Sequence, residues 1–594
     1  MRLKAPDTAS RSVALIAAAA CAALLCLPGC ASRAPAAKDP SASRSAVAAE
    51  DTAAKGRAAG RLNDAAPANE MNGITGLSAL ALRDRIARRE LTARAVTEAF
   101  LARIAAVDDA GPGLNAVIEL NPEALAIADA LDRSQALGVP TGPLHGVPVL
   151  LKANIDTGDR MATSAGSLAL ADNHARLDAY LVARLRGAGA IILGKTNLSE
   201  WANFRSSSSS SGWSSIGGQT RNPYVLDRNP CGSSSGSGAA AAAALAPLTV
   251  GTETDGSIVC PSSVNGVVGI KPTVGTVSRQ GIIPISHTQD TAGPMARSVT
   301  DAALLLQSMI GYDENDPAPR RYPQGDPDLL PDPQGTRLDG IRIGVFRSYF
   351  GAGQFPRAEA VYTRAIETLR SLGAEIIDPI EYLPAPETRA AEYNVMLYEF
   401  KAGLNAYLAA HEVAADRDTL AELIAWNQAN AQQVMPIFGQ EVFVEADARG
   451  GLDDPEYLQA LETGPQRVRA DLQALLDGQQ LDALISLTTG PAWKTDWVSG
   501  DWYQMGGAYL AAMSGYPSIA VPAGDIEGLP IGISFIGPAF SEPSLIQTAY
   551  AFEQAAAARA EPRFLPTLER IGTGNGRAAV QRRLRLTPGL RPRE

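Results

Sequence analysis

The chain has 594 residues, 46% hydrophobic and 19% charged, a length and balance that suit a large soluble globular protein with a substantial core. A formal net charge of −11 argues against nucleic acid as its main partner. Four histidines and five cysteines are scattered without ligand spacing, so the sequence points to no metal site.

The N-terminus reads as an export signal. Arg2, Lys4 and Arg11 precede an apolar run over residues 13–27, too short and too rich in small residues for a comfortable transmembrane span. The run ends in Leu27-Pro28-Gly29-Cys30, which resembles a bacterial lipobox and makes Cys30 the expected lipidated residue; plain cleavage after an alanine-rich site is the alternative. Ala31 at the next position suits an outer-membrane address in a Gram-negative cell. Residues 1–30 are thus expected to be signal. Residues 31–72, rich in Ala, Ser, Pro and charge, are expected to be a flexible tether.

From residue 73 onward, apolar segments alternate between helical and strand periods. Thr92 is a plausible N-cap, with Val96, Phe100, Ile104 and Val107 following at helical spacing. A strand over 115–120, a helix over 122–137 and a strand over 147–151 come next. The last is apolar on both faces, hence central, and Lys152 stands at its end. A helix over 177–186 and a strand over 190–193 continue the alternation, which predicts an α/β fold: one large domain over residues 73–571, its sheet covered on both faces by helices. Residues 206–211 are six serines, read as a low-complexity loop. Strands over 341–346, 481–487 and 531–536 and a helix over 361–372 flank a mainly helical middle, about 382–480. Beyond residue 572 six arginines and little apolar content mark a basic, solvated tail, with attraction to an anionic membrane or wall polymer as the alternative.

The stretch over 230–272 organises the rest. A loop, Cys231-Gly-Ser-Ser-Ser-Gly-Ser-Gly238, opens an alanine helix that must stop before Pro247. A short apolar segment then leads into Gly251-Thr-Glu-Thr-Asp-Gly-Ser257. Two glycine turns that carry serines, joined by one short helix, bring two hydroxyls and several N–H donors to one point.

These residues resemble the amidase signature family. Its Gly-Gly-Ser-Ser-Gly-Gly-Ser loop appears at 231–237, with Cys231 and Ser235 replacing glycines, and its nucleophile turn appears at 251–257. Pro143-Leu-His-Gly-Val-Pro-Val-Leu-Leu-Lys152 is similar to its lysine strand. Gly269-Ile-Lys-Pro-Thr273, Gln289-Asp-Thr-Ala-Gly-Pro294 and Tyr516-Pro-Ser-Ile-Ala-Val-Pro522 also match. The likeness covers roughly residues 74–568 and is weakest in the middle, where the family shapes access and specificity.

The resemblance implies a mixed sheet, no cofactor, and a Ser–Ser–Lys triad: Ser257 as nucleophile, Ser233 as bridging serine after a cis peptide, and Lys152 as base. Backbone N–H groups of Thr254, Asp255, Gly256 and Ser257 are implied as the oxyanion hole, Ser234 as a supporting donor, and Asp290 as the residue that orders the site loop. Asp255 departs from the commoner glycine of that turn. Chemically, a serine needs a partner to remove its proton, and a lysine serves only if burial lowers its pKa from about 10.4. His145, His174, His287 and His411 stand in no matching pattern and are read as packed or exposed histidines. Cys231 and Cys260 are expected as two small buried thiols, with a disulfide as the alternative.

The expected function is an exported serine amidase. The turn at 251–257 and Asn197-Leu-Ser-Glu-Trp-Ala-Asn203 look most like the bacterial peptide amidase subgroup, so the expected substrate is a C-terminal peptide amide or acyl-amino-acid amide. Trp493, Trp497, Trp502 and Tyr503 are expected as an aromatic wall for the last side chain. Fatty or aryl amides, or esters, are the alternative substrates. A non-catalytic solute-binding lipoprotein is the rival class, and it is disfavoured because Ser257, Ser233 and Lys152 are all present. A subunit of a tRNA-dependent amidotransferase is disfavoured by the export signal.

Overall fold

The computed structural model describes residues 73–316, 320, 322–323, 325–347, 355–411, 413–504 and 506–568. The expected signal, Cys30, the tether and the basic tail therefore lie outside the described residues. Among those described, no helix is long and apolar enough to cross a membrane.

Among the described residues, eleven strands form one mixed sheet. In chain order they are β1 (Val117–Leu120), β2 (Pro148–Lys152), β3 (Ile191–Thr196), then β6 (Leu248–Glu253), β7 (Val268–Lys271), β8 (Thr291–Ala296), β9 (Arg342–Phe346), β10 (Glu375–Ile380), β11 (Ala483–Leu487), β12 (Ser518–Ile526) and β13 (Leu529–Ile536). A separate small hairpin pairs β4 (Trp213–Ser214) with β5 (Gly218–Gln219). The order across the sheet is β1-β3-β2-β6-β8-β7-β12-β13-β11-β9-β10. β2 runs parallel to both β3 and β6, and the centre from β6 to β11 is antiparallel. β2 is thus an interior strand, as its apolar run requires.

Side chains alternate across β2. Val149 and Leu151 join the larger core, packed with helix Val299–Met309; Leu150 joins the core on the other face, with helix Ala93–Ile104. Thr92 caps that second helix, its Oγ1 accepting from Ala95 N at 3.0 Å. By the same alternation Lys152 shares the face of Leu150, which is the face covered by the alanine helix α1 (Ser235–Ala242). All eight residues of α1 are buried. A helix enclosed on every side has no polar face to keep, and alanine and glycine let it approach the strands closely. A Cβ on Gly236 would stand 2.3 Å from Ala116 O.

The turn at residues 254–257 leaves β6 and leads into the short helix α2 (Val259–Val264). Between β10 and β11 the described residues are mostly helical; the long helix α3 (Glu387–Ala410) packs on Phe204, Ile283 and Ile285.

Candidate active site

The end of β2 carries Lys152 into a fully buried position. Its Nζ lies 2.7 Å from Ser233 Oγ, 2.8 Å from Thr252 Oγ1 and 3.2 Å from Thr252 O. Asn154 Nδ2 donates to the same Thr252 hydroxyl at 3.1 Å. Burial lowers the lysine's pKa to about 7, against the opposing charges of Asp290 and Glu253. Two other lysines are equally buried, Lys195 and Lys271. The Lys195 Nζ bonds the Ile155 carbonyl and Thr163 Oγ1, and the Lys271 Nζ bonds the carbonyls of Tyr516 and Pro272. Of the three, Lys152 is the one that meets a serine hydroxyl.

The two serine turns are tied back to back. Ser234 N donates to Ser257 O at 3.1 Å, and Ser234 Oγ donates to Thr252 O at 3.0 Å. The Gly232–Ser233 peptide is cis. Gly251 has no room for a side chain, since a Cβ would fall 2.7 Å from Ser234 Oγ. Gly256 holds φ +81°, a conformation that favours glycine. Glu253 Oε2 accepts from Ile258 N at 2.7 Å and Val259 N at 3.0 Å, which anchors the segment after Ser257. Burial pushes this carboxyl up, while Lys271 pulls it down. Among the described residues, the N–H groups of Asp255, Gly256 and Ser257 make no hydrogen bond, so they remain available to an incoming oxygen. Asp290 orders this loop: its Oδ1 accepts from Thr254 Oγ1 at 2.6 Å, and its Oδ2 accepts from Ile285 N and Ser286 N.

Thr254, Asp255, Gly256 and Ser257 form one wall of a cavity of about 360 Å³. Ser206, Ser207, Ser209 and Ser211 line it from the serine run, which is held by Glu441 and by Asp501, itself a lining residue of the cavity. Trp493 and Tyr503 line the cavity too, whereas Trp497 and Trp502 do not; these two are 53% and 70% exposed. The expected aromatic wall is therefore half its expected size. Arg389 and Met396 reach the cavity from α3, and Tyr509 from the helix Tyr509–Ser514. A second, more apolar cavity of about 640 Å³ adjoins it; Ala202, Thr254 and Ile285 border both.

The expectation of two free thiols is overturned. Cys231 and Cys260 form a disulfide, Cα to Cα 6.1 Å, joining the loop before Ser233 to the helix after Ser257. Both half-cystines border the first cavity. The glycine that Ser235 replaces is explained as well, because Ser235 Oγ donates to Cys231 O at 2.6 Å. Among the described residues, no histidine bonds either serine; His287 pairs with Glu399 and His411 with Asp156. Nothing in the local sequence marks Thr252 or Asn154 as partners of the lysine, nor Arg389, whose contact with Asp255 spans 134 positions.

A family model described as amidase matches residues 95–546. A probable amidase of Arabidopsis thaliana is 41% identical over 490 residues, 80% of this chain and 89% of that protein. A putative amidase of Schizosaccharomyces pombe is 34% identical over 507 residues, 80% of this chain and 84% of that protein. The solved structure of native peptide amidase from Stenotrophomonas maltophilia is 50% identical and superposes with a TM-score of 0.77, covering 82% of this chain and 99% of that chain. With the mixed sheet and the serine turns at its end, these likenesses make the chain a member of the amidase signature family, a hydrolase of amide C–N bonds.

Proposed function

We propose that the protein is an exported, lipid-anchored amidase that converts C-terminal peptide amides or acyl-amino-acid amides to acid and ammonia through an acyl-Ser257 intermediate. The observation that carries the catalytic part is the contact between Lys152 Nζ and Ser233 Oγ at 2.7 Å, in a site where burial lowers the lysine's pKa to about 7. Neutral Lys152 takes the proton of Ser233 as Ser233 takes that of Ser257, and the freed Ser257 oxygen bonds to the amide carbon. The carbonyl oxygen gains the electron pair and is met by the N–H groups of the turn. The relay then runs backward: the nitrogen receives the proton, the C–N bond breaks and ammonia leaves. Water, deprotonated through the same relay, attacks the ester and restores Ser257. Asp290 and Ser234 hold the loops that present these groups.

The substrate class is supported by the likeness to peptide amidase, one solved form of which is a complex with the competitive inhibitor chymostatin. It is also supported by a cavity that is lined by residues of the serine run and by Trp493 and Tyr503, a polar edge for a peptide backbone and an aromatic surface for its last side chain. Export is supported by the N-terminal sequence and by the Cys231–Cys260 disulfide, which suits an oxidising compartment. The 640 Å³ apolar cavity favours a second reading, turnover of long-chain or aryl amides. Parallel assays of a dipeptide amide, a long-chain fatty amide and an anilide separate the two. Tenfold better turnover of either of the latter replaces the first reading by the second. Export is tested by labelling cells with a fatty-acid analogue, which marks the wild type and not Cys30→Ala; equal labelling of both ends that part.

A further inference from the structure

Asp255 stands two residues before Ser257 and carries the only acidic side chain within the 254–257 turn. Its carboxylate faces the 360 Å³ cavity and is 25% exposed. Oδ2 accepts from Arg389 Nη1 at 3.1 Å, and the same nitrogen donates to Glu392 Oε2 at 2.9 Å. The guanidinium also lies over the ring of Tyr509, 5.1 Å from its centroid. Glu392 is buried and held in turn by Gln289 Nε2 at 3.0 Å; burial, then the charge of Asp255, pushes its carboxyl up. The Asp255 carboxylate is thus fixed by α3, by the helix Tyr509–Ser514 and by the loop before β8. Among the described residues, its Oδ1 accepts no hydrogen bond.

A negatively charged acceptor beside the oxyanion donors is unfavourable to the chemistry unless something offsets it, because charge of the same sign develops a few ångströms away. Arg389 supplies that offset. What remains is an oriented carboxylate whose charge is partly offset, an acceptor that a neutral N–H can meet without supplying a full counter-charge. In a peptide amide, the nitrogen of the last residue is two bonds from the scissile carbon. A carbonyl oxygen held by the N–H groups of residues 255–257 would set the scissile carbon beside the turn that carries Asp255, and the nitrogen two bonds away would face the same cavity wall.

We propose that Asp255 accepts the backbone N–H of the residue bearing the scissile carboxamide, and that Arg389 tunes this acceptor toward a neutral N–H and away from a free ammonium. The inference rests on the peptide-amide reading and deepens it, since it names the substrate group that is read. Asp255 acts as a specificity residue; the proton relay does not pass through it.

The test compares kcat/KM of the full chain for N-acetyl-phenylalaninamide, for 3-phenylpropanamide, which lacks the N–H, and for phenylalaninamide, which carries an ammonium. The wild type prefers the first over the second by about ten- to a hundredfold, the range for a hydrogen bond to a charged group. In Asp255→Gly and Asp255→Ala that ratio falls to within about threefold of one. In Arg389→Ala the free-amine substrate gains on the acetylated one by about tenfold, as the carboxylate loses its counter-charge. Each ratio is internal to one variant, so lost folded protein does not mimic the result. A wild type without preference removes the peptide-amide reading, and this inference with it. A wild-type preference that survives in both Asp255 variants overturns the inference alone.

Discussion

Lys152 Nζ sits 2.7 Å from Ser233 Oγ at a place with no solvent exposure, on the last residue of an interior strand. An ammonium there is stripped of water and offset only by Asp290 and Glu253, so its pKa falls to about 7. The neutral form is the one that accepts a proton. Activity therefore falls on the acid side of about pH 7 and levels above it, instead of climbing to the usual lysine range near 10.4. Lys152→Ala costs about 10²–10⁴-fold in kcat and removes the acid limb. A pH profile of kcat/KM checks both; an unchanged limb in the variant rules out Lys152 as its source.

Aromatic contributions to binding divide by position. Trp493 lines the cavity, whereas Trp497 is exposed and gives its indole N–H to Gln219 at 3.1 Å. Trp493→Ala raises KM for a peptide amide by about tenfold, and Trp497→Ala changes it less than about twofold. Steady-state kinetics of the two variants decides; the reverse order moves the substrate's side chain to the outer loop.

The Cys231–Cys260 bond closes a loop of 29 positions. Chain-entropy reasoning gives it about 3–4 kcal/mol of stability. Reduction, or the double variant Cys231→Ala/Cys260→Ala, lowers the urea midpoint correspondingly while the variant itself becomes insensitive to reductant. Equal midpoints with and without reductant in the wild type would show that the bond stabilises nothing.

His411 ties the end of α3 to the loop after β2, its Nε2 2.7 Å from Asp156 Oδ2 and its ring stacked on Tyr407. Burial works against the charged ring, but the bond to Asp156, that carboxylate's charge and the Tyr407 carbonyl outweigh it and raise the pKa. A raised folded value means the stabilisation is complete below the unfolded value of about 6.5 and fades as pH rises through the folded value. His411→Leu thus lowers the melting temperature more at pH 6 than at pH 9. Equal losses at both would mean that the ring acts by packing alone.

Much of this site was readable because its chemistry is local. The two glycine turns, the alanine helix and the lysine strand are contiguous, and each obeys a short-range rule. The central strand β8 was hidden because Gly293 and Pro294 are poor strand residues; a Cβ on Gly293 would fall 2.0 Å from Ile270 O, so close packing of neighbouring strands requires the glycine. β10 also contains a proline, Pro379, and lies at the sheet edge, where a missing N–H is tolerated. The choice between two thiols and a disulfide at Cys231 and Cys260, and the Asp255–Arg389 contact, were undecided by sequence for a different reason. They depend on how distant segments meet, and no periodicity within either segment encodes that.

Acylation of Ser257 is tested most directly by mass spectrometry of the protein during turnover of a dipeptide amide. The wild type should release one ammonia per new carboxylate, and rapid acid quenching should trap an acyl mass on the peptide containing Ser257. Ser257→Ala should show the same fold by circular dichroism, no adduct and no turnover. Turnover by Ser257→Ala at a comparable rate, or an adduct on a different residue, would contradict the account.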